Sequence, residues 1–158
     1  MQAYVQFDYG YDLGGWPMNW KVRELTEHGA PTAPWLDHEI TTDDDFRALV
    51  EHRLLTTVAG FTDTDIDAAD YQARRMEALI RTGVVLTTYG ESGVEGWILS
   101  AESFCLEDWN ETMDLSNADL GDETARKHWN AELSAALDAL GFTPQQQRPC
   151  WLLNASED

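Results

Sequence analysis

The hydrophobic pattern changes period several times along the chain, and each change predicts an element. Ala3-Tyr4-Val5-Gln6-Phe7 alternates and is rich in strand formers, which predicts a first β-strand. The glycine- and aromatic-rich run from Asp8 to Pro17 predicts a turn or extended loop. Met18 to Leu25 fits a second strand or a short helix. Glu27 to Ile40, interrupted by Gly29, Pro31 and Pro34, reads as a surface connection carrying Trp35.

Helical spacing then takes over. Phe46, Leu49, Val50, Leu54 and Val58 form one stripe, predicting a helix from Asp43 to Ala59 capped by Thr41 or Thr42 and stopped by Gly60. A second helix is expected after Asp65 or Asp67, running to Thr82, with Tyr71, Met76, Leu79 and Ile80 inward and Gly83 at its end. Val84 to Tyr89 and Val94 to Ser100 read as a hairpin around Gly90-Glu91-Ser92-Gly93. Residues 102–121 hold scattered apolar anchors in acidic surroundings and predict a short helix or loop. The last helix spans Asp122 to Leu140 on a stripe of Ala125, Trp129, Leu133, Ala136, Leu137 and Leu140, and Gly141 ends it. Cys150 to Asn154 reads as a closing strand. The order predicts an α+β fold: a small, mainly antiparallel sheet with about three helices packed on one face, and the terminal strands paired in its middle. The length fits one acidic globular domain over residues 1–158.

Charge changes the picture most. Asp and Glu number 29 against 10 Lys and Arg, a net charge of −19 on 158 residues. Residues 1–79 hold 15 acids and 6 bases, and residues 80–158 hold 14 and 4, so the charge is spread through the chain. With 43% hydrophobic and 11% aromatic residues, it belongs to a folded surface. Such a surface repels nucleic acid and anionic membranes and attracts basic proteins. No run of apolar residues is long enough to span a bilayer, and Met1-Gln2-Ala3-Tyr4 lacks the features of a signal peptide. A cytoplasmic location is therefore expected.

Candidate chemistry is sparse. His28, His38, His52 and His128 fall in no metal-ligand spacing, and Asp37-His38-Glu39 places neighbours that point apart. Cys105 and Cys150 lack a base nearby in sequence and are expected as thiols. No phosphate-binding glycine pattern is present. We therefore expect no catalytic residue, no metal and no cofactor.

The expected function is a non-enzymatic acidic binding protein for a basic partner, such as a nucleic-acid-mimicking inhibitor or an immunity- or antitoxin-like protein. Its expected site is Glu102, Glu107, Asp108, Trp109, Glu111 and Asp114, with Asp43, Asp44 and Asp45 second. Two alternatives compete. One is a domain whose acidity is that of a whole salt-adapted or high-GC proteome. The other is a small enzyme or carbohydrate-binding module using the aromatic loop 9–20; Trp16, Trp20 and Trp35 are then interface anchors or a stacking platform, or else they plug the edge of the core.

Overall fold

The computed structural model describes residues 3–15, 19–106, 112–116 and 119–157. Four strands and three helices follow the order β1 (Ala3–Gly15), α1 (Asp43–Thr57), α2 (Tyr71–Arg81), β2 (Val85–Tyr89), β3 (Gly96–Leu106), α3 (Glu123–Leu140) and β4 (Cys150–Glu157). The sheet is antiparallel throughout, in the order β2-β3-β1-β4. The α+β architecture matches the expectation from sequence. The terminal strands do pair, but only β1 is a middle strand; β4 lies at the edge of the sheet.

Two glycines explain why β1 runs 13 residues, through the stretch expected to be a loop. Gly10 lies so close to β3 that a Cβ there would stand 1.8 Å from the Leu99 carbonyl oxygen. Gly14 adopts φ +69°, which a side chain would strain, beside a register shift between Asp12 and Gly14. The glycines thus permit close strand packing and bending. They do not end the strand.

Three further boundaries differ from the sequence reading. β3 continues through Leu106, so residues 102–106 are strand, because β1 is long enough to pair with them as far as Val5–Leu106. The segment 19–25 forms no named element; it makes isolated bridges, Val22 to Pro144 and Leu25 to Pro31. Helix α2 begins only at Tyr71. The preceding acids favour local turns instead, with Asp63 Oδ1 accepting from Asp65 N at 2.9 Å.

One face of the sheet carries the helices. Helix α1 starts at the predicted cap, where Thr42 Oγ1 accepts from Asp45 N at 3.1 Å. Its Phe46 is fully buried among Trp20, Trp97 and Phe142. Helix α3 is capped by Asp122 and lays Trp129 against Tyr9 and Trp151. Leu13, Leu99, Leu133, Ala136 and Leu140 fill the space between.

The opposite face is closed by the sheet itself. Beyond β2, Gly90 N donates to Ala155 O at 2.9 Å, and Ser156 Oγ donates to Thr88 O at 2.9 Å. The two sheet edges therefore meet at one end, and polar residues on the helix-free side become buried.

Candidate functional site

The acidic positions separate into engaged and exposed groups. Asp43 is engaged: its Oδ1 accepts from Trp97 Nε1 at 3.0 Å, tying the start of α1 to β3. Asp45 faces His38, with Oδ2 3.2 Å from Nε2. Only Asp44 of the triplet is exposed outright. All three also oppose the positive end of the α1 dipole. Glu102 is exposed on β3 opposite Tyr9, and Asp114 is exposed with Oδ1 accepting from Ser116 N and Oγ at 3.0 and 2.6 Å. Glu107, Asp108, Trp109 and Glu111 lie outside the described residues.

The histidine and carboxylate segment 37–39 disperses. His38 sits between Asp37 and Asp45, and hydrogen bonds to these two, Asp37 first, raise its pKa. Glu39 turns to Thr26 and His28, whose hydrogen bonds lower its pKa. Among the described residues, no three His, Cys, Asp or Glu side chains converge as a metal site would require.

For Trp20 and Trp35 the structure fits the alternative that these rings plug the edge of the core. Tyr9 and Trp20 are buried, and Trp35 is half-buried with Nε1 donating to Leu140 O at 2.7 Å. Trp16 lies outside the described residues. A stacking platform needs open rings, and Tyr9 and Trp20 are spent on the core. The two cysteines stand on opposite sides of β1, Cys105 opposite Gln6 and Cys150 opposite Gly10, too far apart to bridge one another.

Two features escaped the sequence. The first is a polar cluster on the helix-free face. Asp8, fully buried, accepts from Gln6 Nε2 at 3.0 Å and Asn154 Nδ2 at 2.9 Å. Nearby, Asp12 accepts from Tyr89 Oη at 2.8 Å, Lys21 Nζ at 2.6 Å and Gly14 N at 2.9 Å. Burial and then the Asp12 contact raise the Tyr89 pKa, so the phenol stays protonated. Asp12, Tyr89, Ile98, Leu152 and Asn154 line a cavity of about 190 Å³. Through its hydrogen bonds Asp12 joins β1, β2 and the segment after β1. The period-2 position of Asp8 between Phe7 and Tyr9 was the one available signal of its facing.

The second is an apolar groove of about 490 Å³ between α2, β2 and α3, floored by Leu54, Leu86 and Trp129. The sequence places Met76 and Ile80 inward. They are instead 56% and 70% exposed on the groove wall, and Val85 is 61% exposed beside them. Only Ala78 of α2 is buried. Helical periodicity located the apolar face of α2, but the other described residues leave Met76 and Ile80 on it exposed.

No helix among the described residues is long and apolar enough to cross a membrane. No family model, curated protein or solved structure matches this chain.

Proposed function

We propose that this chain is a non-enzymatic binding protein that engages a basic partner protein, either as a nucleic-acid mimic that occupies a cationic groove or as a cover for a cationic toxin. The observation that carries the reading is negative charge displayed on the folded surface. The net charge is −19, and Asp44, Glu102 and Asp114 are exposed on α1, β3 and the segment before α3. Carboxylates held on a folded surface steer a basic partner and raise its association rate by about 10- to 1000-fold at low salt. Glu107, Asp108, Trp109 and Glu111 belong to the same proposed surface by sequence.

The test compares tagged wild-type chain with an Asp44→Lys/Glu102→Lys/Asp114→Lys variant in capture from host lysate. Elution is by salt gradient and identification by mass spectrometry. The reading requires one dominant basic protein, released over a narrow salt range and lost from the variant. Weak contaminants shed equally from both chains at low salt would overturn it. The acidity would then serve solvation, as in an acidic proteome, and melting temperatures would rise steadily with salt.

A further inference from the structure

We infer that the groove between α2, β2 and α3 binds a small, neutral, predominantly hydrocarbon molecule. This inference is independent of the basic-partner reading and uses none of its residues.

The first argument is shape. Among the described residues, Leu54, Val84 and Leu86 form a nearly inaccessible floor, and the exposed side chains of Met76, Ile80 and Val85 rise around it as walls. A flat protein face laid across these walls would rest on the rim and leave the floor unfilled. A molecule small enough to enter meets floor and walls together, and it takes all three wall residues out of water. The volume of about 490 Å³ lies within the range of small-molecule sites. At about 30 Å³ per non-hydrogen atom, the share of one water in the liquid, such a space holds roughly 16 of them.

The second argument is the chemistry of the lining. The ionisable groups that border the groove are Glu51, His128 and Glu132, and each is engaged within the chain. Glu51 meets Arg47 at 3.7 Å and Arg75 at 3.1 Å, and His128 meets Glu132 at 2.7 Å. Among the described residues, the lining therefore keeps no unpaired charge that could recognise an ionic head group. An anion would also enter against the field of a chain of net charge −19. Carbon walls without a free charge select a neutral ligand. Met76, unbranched and polarizable, can adapt to its outline.

The test is a fluorescence titration of the full chain with N-phenyl-1-naphthylamine, a neutral aromatic dye of matching size. Wild type should bind it saturably, with one dye per chain. Met76→Glu and Ile80→Glu replace exposed side chains and should leave the circular dichroism spectrum unchanged. Each should weaken binding by about tenfold or more, the scale on which a single methylene alters selection in an apolar pocket. In competition, 1-decanol should displace the dye at least about tenfold better than decanoate, whose charge the groove cannot pair. Absence of saturable binding overturns the inference. So does binding that survives both substitutions, because the dye would then sit elsewhere. Displacement by decanoate as good as by 1-decanol overturns the neutral ligand class. A wild-type dimer that Ile80→Glu disperses, with no dye bound, would give the groove to a second copy and overturn the inference equally.

Discussion

Asp43 and Asp44 are sequence neighbours with opposite expected roles, and replacing each by alanine separates fold from function. Trp97 is 2% exposed, and its Nε1 donates to Asp43 Oδ1 at 3.0 Å. Asp43→Ala leaves that indole N–H buried without an acceptor, which costs about 1–3 kcal/mol. Loss of a carboxylate from the first turn of α1 adds about 0.3–1 kcal/mol. The central expectation is about 2–3 kcal/mol, which lowers Tm by roughly 4–12 °C for a chain of this length. Asp43→Asn keeps an oxygen acceptor and should recover most of the loss. Asp44→Ala removes only the dipole contribution and should stay within about 0.5–1 kcal/mol of wild type, while slowing capture of a basic partner. Calorimetry of the three variants at one protein concentration measures this. Equal melting temperatures for Asp43→Ala and Asp44→Ala would refute the argument that the triplet divides between structure and surface.

Two other positions give sharp expectations. Asp8→Ala should cost about 1–3 kcal/mol for each of the two amide donors it strands. Asp8→Asn should lie within about 1 kcal/mol of wild type, because Asn154 Oδ1, which has no hydrogen-bond partner among the described residues, can rotate in to accept from the new amide; urea denaturation reads both, and equal losses would refute the assignment. The His38 ring should titrate above the ordinary histidine value in an NMR pH series, falling back with Asp37→Asn and by less with Asp45→Asn. Its sign follows from the raised value: the contribution to stability is full below the unfolded pKa and is lost as pH rises through the folded one. Glu39 runs the other way, its contribution being lost as pH falls through its lowered pKa.

Much of the fold was legible because local and tertiary preferences agree. The α1 and α3 stripes, their Thr42 and Asp122 caps and the hairpin joining β2 to β3 all follow from spacing and turn chemistry. Apart from the start of α2, where local turns win, the failures share a physical cause, which is that the deciding partner is remote in sequence. Gly10 reads as loop until the Leu99 carbonyl is known to press on it. Residues 102–106 look irregular until β1 is long enough to pair with them. Asp8 looks like one acid among 29, yet the meeting of β2 and β4 buries it. Met76 and Ile80 show that an amphipathic stripe gives a direction without naming what covers it. The acidic surface was legible as charge. Its division into engaged Asp43 and Asp45 and exposed Asp44 required the positions of Trp97 and His38.

The central claim is that the exposed carboxylates steer a basic partner. Its most direct test is the association rate between this chain and the captured basic protein, measured by stopped flow across ionic strength for wild type and for the Asp44→Lys/Glu102→Lys/Asp114→Lys variant. The account predicts a wild-type rate that falls by about tenfold or more from low to physiological salt, and a variant that starts slower and depends less on salt. A rate that ignores both ionic strength and the three reversals would contradict it.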